Sequence, residues 1–389
     1  MSTRGFLAEG EVSGVVAPPF EGVRNRFASL VSDGVEGGAA LCVVVDDTVV
    51  VDLVGGWSDV GRTRAWTPGT LVHTYSVGKP FAALALLVLV QDGALTLDMP
   101  VADVWPDYAA AGKGATTVRH LLTHQAGLPA FGASLEPNDL LDPTTLVAWL
   151  AQAHPEWVPG RGLGEHALTY GHLLAAVVTA VSGRSLGEQF RLRVARPLGW
   201  DAWFGVPPDE LGRVADLEYA SPLWPQDIAG PTGSLRHRAL TQPQGALEVR
   251  VLNHPRWRQA EFPAIGMHAS ARGVVALYAQ LLTPDGPLAQ ILGPEVFDGL
   301  VEPQAHGWDR TLEREVTWTL GMQRDGGDVG MGGIGGSVGF ASLDKGYAFA
   351  YVTRTLGDHA RVDALVTEVE AALARDRRPT GSGGNSDAG

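Results

Sequence analysis

The sequence predicts an α/β fold of the α+β type: one antiparallel sheet built from both ends of the chain, flanked by helices and interrupted by a large helical insertion. Three observations predict it. ALCVVV (40–45) and TVVVDLVGG (48–56) are β-rich runs joined by Asp46-Asp47, a hairpin signal near the N-terminus. EVTWTLGMQ (315–323), GFASL (339–343) and GYAFAYVTR (346–354) supply strands near the C-terminus. Between these groups, from about residue 100 to 260, strand signals fade and helical spacing takes over.

The elements follow in order. FEGVRNRFASLVSDG (20–34) has helical spacing and precedes the hairpin. FAALALLVLV carries a helix from about Ser76 to Gln91, stopped by Asp92-Gly93. TTVRHLLTH (116–124), PTTLVAWLAQA (143–153) and LTYGHLLAAVVTAVSG (168–183) read as helices between Pro- and Gly-rich loops. Residues 205–262 are proline-rich with little periodicity, an irregular connection of the kind that lines a cleft. ARGVVALYAQLL (271–282) returns to helix, and a helix from about 358 to 376 closes the fold. The expected division is a sheet domain from 1–100 and 262–378, a mainly helical domain from 101–261, and a disordered tail from 379–389. The cleft is expected where the two domains meet.

Composition narrows the function. The 389 residues are 45% hydrophobic and 19% charged, an ordinary globule with ample core. A net charge of −14 argues against a nucleic-acid partner. The one cysteine, Cys42 inside ALCVVV, excludes an internal disulfide and reads as a buried, inert thiol. MSTRGFLAEGEV lacks the apolar stretch of a secretory signal, and FAALALLVLV is too short to span a bilayer. A cytoplasmic protein without a membrane partner is therefore expected. No glycine-rich phosphate loop follows a strand, and no cofactor is expected.

The chemistry centres on Ser76-Val-Gly-Lys79. On a helix this spacing puts both side chains on one face, about 5–6 Å apart at Cβ. Serine is a poor nucleophile until a neighbour takes its proton, and a lysine can do so when burial lowers its pKa. Only three lysines exist, Lys79, Lys113 and Lys345, against 26 arginines, and arginine cannot release its proton. Ser342-Leu-Asp-Lys345 repeats the spacing between two strands, where Asp-Lys-Gly makes a turn and the lysine is solvated. Gly335-Gly-Ser337-Val-Gly339 fits a nucleophile elbow, but a strand rather than a helix follows it, so Ser337 is rejected. His120 and His124 have zinc-ligand spacing without the following glutamate, which argues against a metal site.

Taken with HLLTHQAGLP and MGGIGGSVGF, the Ser76–Lys79 motif resembles the serine β-lactamase-like superfamily, from about residue 20 to 375. That group includes class C β-lactamases, D-Ala-D-Ala peptidases, esterases of the same fold and related acyltransferases. The resemblance implies Ser76 as acylated nucleophile and Lys79 as its proton acceptor. It places Met331-Gly332-Gly333 at the triplet beside the cleft, with the N–H groups of Ser76 and Ile334 as the oxyanion hole. Met331 stands where a cation, imidazole or indole is expected, which argues against antibiotic or peptidoglycan turnover. The third motif, Tyr-x-Asn, is altered. One alignment offers Tyr170-Gly171-His172, with His172 toward substrate; the other, favoured, puts Glu165 at the catalytic position and Tyr170 in packing. Three functions follow from these residues. A serine hydrolase would cleave a small-molecule ester. An ATP-independent acyltransferase would pass the acyl group to an amine or alcohol. A non-catalytic binding protein would keep only the fold. Trp203, Trp224 and Trp257 are candidates to line an apolar cleft.

Overall fold

The computed structural model describes residues 11–376, so the expected disordered tail lies outside it. Nine strands form the main sheet: β1 (Ser13–Val16), β2 (Gly38–Val45), β3 (Thr48–Gly56), β4 (Ala305–Asp309), β5 (Arg314–Trp318), β6 (Gln323–Asp325), β7 (Asp328–Gly332), β8 (Val338–Ser342) and β9 (Tyr347–Thr353). Their spatial order is β1-β3-β2-β9-β8-β7-β6-β5-β4, and every pairing is antiparallel. The two ends of the chain meet in the middle, where Cys42 of β2 pairs with Ala350 of β9.

The β2–β3 hairpin turns on Asp46 (φ 47°) and Asp47 (φ 57°), left-handed positions that a short polar side chain tolerates. Alternation along β2 then divides the core. Ala40, Cys42 and Val44 face the large inner cluster, while Ala39, Leu41 and Val43 face the outer one. Two terminal helices, α1 (Glu21–Ser32) and α5 (Ala360–Asp376), cover the outer face through Phe27 and Leu365. On the inner face lies α4 (Ala271–Leu281), packed on β2, β8 and β9. Burial raises the Cys42 thiol to about 12, as an inert core sulfur requires.

Behind the sheet runs α2 (Lys79–Gln91), with every residue from Lys79 to Leu89 buried, packed against α3 (Thr169–Ser182). A helix apolar all round belongs in the interior. The structure moves its start. Residues Tyr75–Gly78 form a 3-10 turn, and the α-helix begins only at Lys79, with Pro80 in the first turn where its missing N–H costs nothing. Tyr75, at φ 51°, bends the chain into that turn.

Two other expectations are corrected. Residues 205–262 contain short helices at Trp224–Ala229, Leu235–Thr241, Val249–Leu252 and Pro255–Gln259. At two turns or fewer, they leave no periodic signal; a proline or a capping Ser234 or His254 starts three of them. The run 315–323 is also two strands, β5 and β6, separated at Gly321, whose φ of 100° suits glycine. No helix among the described residues is long and apolar enough to cross a membrane.

Candidate active site

Ser76 is held at the mouth of α2 by the segment before it. Val72–His73 joins a small three-stranded sheet with His268–Ala269 and Ala202–Trp203, and the N–H and Oγ1 of Thr74 both donate to the Met267 carbonyl, at 2.9 and 3.1 Å. Beyond the turn, Lys79 Nζ donates to Ser76 Oγ at 2.6 Å. Glu165 Oε1 lies 3.1 Å from the same nitrogen. Lys79 is fully buried, and Ser76 and Glu165 are 5% and 7% exposed, so all three share a site nearly closed to bulk water.

Burial holds the Lys79 ammonium below its ordinary pKa, and the charge of Glu165 and its hydrogen bond pull the other way. A buried ammonium needs such a partner. The rings behind it add no charge. His166 N–H donates to His124 Nδ1 at 3.0 Å, and Leu128 N–H donates to His166 Nε2 at 3.0 Å. Burial keeps both imidazoles neutral, His124 well below its usual range and His166 at about 3. Their accepting nitrogens fix the tautomers: His166 donates from Nδ1 to the Gly164 carbonyl at 2.7 Å, and His124 carries its proton on Nε2.

Strand β7 delivers the opposite wall. Gly333 follows it so closely that a Cβ there would lie 2.3 Å from the Thr74 carbonyl oxygen. The Gly333 N–H bonds the Ser337 carbonyl at 2.7 Å and the Gly336 N–H bonds the Gly333 carbonyl at 2.9 Å, a turn in which the Ile334 N–H has no role. Met331, Gly332, Gly333 and Ile334 line one cavity of about 690 Å³ with Ser76 and Glu165. Its far wall comes from Ala220, Trp224, Ile228 and Arg236 of the short-helix segment, and its rim includes Arg314 and His359.

The two alternatives for the third group are thus separated in space: Glu165 touches Lys79, whereas Tyr170 is buried with its ring 4.6 Å from His124 and its hydroxyl without a partner among the described residues. His172 is a correction. Its ring is buried in the helical core, 4.6 Å from Phe262 and 5.8 Å from Phe131, and is not among the residues lining the cavity with Ser76. Two residues past Tyr170 on the same helix, it packs among aromatic rings. Of the three tryptophans, Trp224 lines the cavity; Trp257 is buried against His73, and Trp203 lies under Arg191. Ser337 accepts the Thr353 N–H at 3.2 Å, and Lys345 pairs with Glu370. His120 and His124 each accept a different backbone N–H, from Thr117 and His166.

The family model described as Beta-lactamase matches residues 23–373. The chain belongs to the beta-lactamase family. Within that family it is similar to the esterase/beta-lactamase LipL of Mycobacterium tuberculosis, 32% identical over 399 residues that cover 94% of this chain and 90% of that protein. Among solved structures it is similar to a family VIII carboxylesterase, with TM-score 0.83, 31% identity, and coverage of 93% and 100%. A penicillin-binding protein homologue from Caulobacter crescentus aligns with TM-score 0.81 and 32% identity over 94% and 99% of the chains. Three residues of the site escaped sequence reasoning as functional groups. In the sequence His124 reads only as a candidate zinc ligand with His120, His166 carries no signal beyond its place in GEHALTYG, and Asp309, which accepts the Glu165 N–H at 3.0 Å, lies 144 residues away with no local signal.

Proposed function

We propose that this beta-lactamase-family chain is a serine hydrolase of esterase type that cleaves a small-molecule ester through an acyl-Ser76 intermediate. One observation carries the reading: buried Lys79 Nζ lies between Ser76 Oγ at 2.6 Å and Glu165 Oε1 at 3.1 Å, and Ser76 and Glu165 line a cavity large enough for a small ester. The similarity to an esterase/beta-lactamase and a carboxylesterase supports the class.

The geometry gives a proton relay. As Ser76 Oγ bonds to the ester carbon, its proton passes to Lys79, and Lys79 passes one to Glu165. The Lys79–Glu165 pair gains one positive charge as the carbonyl oxygen gains one negative charge, to which the N–H groups of Ser76 and Ile334 donate hydrogen bonds. When the tetrahedral species collapses, the C–O bond to the alcohol breaks, the alkoxide takes a proton from Lys79, and Glu165 returns its proton to Lys79. Water then repeats the sequence on the acyl carbon, giving its proton to the pair, and Ser76 leaves as the hydroxyl. Met331 brings only a thioether to the triplet position, so a substrate carboxylate would have to be met elsewhere on the lining, by Arg236, Arg314 or His359.

Incubation with p-nitrophenyl acetate or a fluorophosphonate, followed by intact mass, tests the proposal. One adduct on the wild type, absent in Ser76→Ala, is expected; no adduct, or one that survives the substitution, overturns it. Acyl transfer is a second reading, favoured by the cavity's room for an acceptor beside the acyl group. Product that rises with amine or alcohol concentration at the expense of free acid supports it, and indifference to acceptor leaves hydrolysis.

A further inference from the structure

We infer that Asp309 is the positioning residue for Glu165: from the edge strand of the sheet, its buried carboxylate pins the main chain at Glu165 and so holds that side chain against Lys79. The inference rests on the reading above, in which Glu165 exchanges protons with Lys79.

Asp309 ends β4, the outermost strand, and is completely buried. A buried carboxylate is costly unless its lone pairs are satisfied. No lysine or arginine pairs with this one among the described residues; four N–H donors serve instead. Oδ1 accepts from Thr311 and Leu312 at 2.9 Å each, as a turn-forming aspartate does, and Oδ2 accepts from Trp318 Nε1 at 3.3 Å. A turn needs nothing more. The remaining bond, from the Glu165 N–H to Oδ1 at 3.0 Å, reaches a loop 144 residues away.

That loop is clamped on both sides. Three successive amides have fixed acceptors: Gly164 N–H to the His124 carbonyl at 3.2 Å, Glu165 N–H to Asp309, and His166 N–H to His124 Nδ1 at 3.0 Å. Arg310 N–H bonds the Leu163 carbonyl at 3.0 Å and ties the strand to the same loop. Trp318, which donates to Asp309, packs its ring 4.1 Å from His124 and joins the two jaws. A catalytic carboxylate must be held within a fraction of an ångström, because a displacement of about 1 Å can cost about 100-fold.

Steady-state kinetics with p-nitrophenyl acetate and a double-mutant cycle test this. Asp309→Ala is expected to lower kcat about 10- to 100-fold, the range typical of orienting partners, with KM changed less than about threefold. Asp309→Asn, whose amide oxygen still accepts the Glu165 N–H, should restore kcat to within about fivefold of wild type. In a Glu165→Gln background, Asp309→Ala should cost less than about threefold more, since its effect passes through Glu165. Equal losses in both backgrounds would overturn the inference, as would a Glu165→Gln enzyme as fast as wild type. Asp309→Ser serves for the same cycle should the alanine variant not fold. Hydrogen exchange of the 161–168 peptide separates this inference from the catalytic reading: about tenfold faster exchange in Asp309→Ala is expected even if Ser76 proves inactive, and unchanged exchange refutes the clamp.

Discussion

Replacing Glu165 by glutamine keeps the size of the side chain and removes its ability to take a proton. Two opposite effects then meet at Lys79. Without the carboxylate, only burial acts on the amine, so its own pKa falls further below the ordinary lysine value. The neutral His124 and His166 contribute no countercharge. Yet the variant has lost the relay. In the proposed relay, an ammonium at position 79 can still accept the serine proton by passing one to Glu165; in the variant, Lys79 must already be a free amine. The acid limb of kcat/KM therefore moves to higher pH, although the lysine itself has become more acidic. At pH 7 the loss of one positioned proton acceptor is worth about 100- to 10,000-fold in kcat/KM, or about 3–5 kcal/mol in the barrier. Above the variant's lysine pKa the deficit should shrink, because the free amine then acts alone. Initial rates with p-nitrophenyl acetate from pH 5 to pH 10, with the rate of fluorophosphonate labelling alongside, measure both effects. A variant within about threefold of wild type at pH 7 would refute the relay, and so would a deficit that is the same at every pH.

Three further outcomes follow from the same geometry. Gly333→Ala would put a methyl 2.3 Å from the Thr74 carbonyl oxygen and displace the Ile334 N–H; kcat should fall about 100- to 1,000-fold, the loss expected for one oxyanion donor, as read by steady-state kinetics. Tyr170→Phe removes a buried hydroxyl that has no partner among the described residues, so kcat should stay within about threefold while thermal unfolding shows stability unchanged or raised by up to about 1 kcal/mol. Lys113, buried, donates to the carbonyls of Ala110, Ala151 and Ala153 at 2.8, 3.2 and 2.6 Å; Lys113→Met should cost about 1–3 kcal/mol in denaturant unfolding and leave kcat within about threefold.

What the sequence disclosed divides by range. The hairpin 40–56 and the strands after 339 were legible because alternation and turn residues are local. The Ser76–Lys79 pair was legible for the same reason, and it survives the change from α-helix to 3-10 turn because the backbone stays right-handed between the two residues. Glu165 could be named only through an alignment that left Tyr170 open, since neither residue's distance to Lys79 is written in its neighbours. Strand β4 was missed altogether: AHGWD has no clear alternation, and its pairing with β5 is what makes it a strand. Asp309 therefore carried no signal as a partner of position 165. His172 misled because a polar residue beside a motif reads as functional, whereas here aromatic rings enclose it.

The cavity's two sides have different foundations. Ser76, Lys79 and the glycines at the end of β7 hang from the buried helix α2 and from the central sheet, whereas the facing wall from Ala220 to Arg236 rides on helices of six and seven residues. Exchanging that wall for another of equal span would alter which molecules are admitted and leave the reacting atoms in register. Such a division lets evolution, or an engineer, retune selectivity by segment replacement while the Ser76–Lys79 pair is inherited whole.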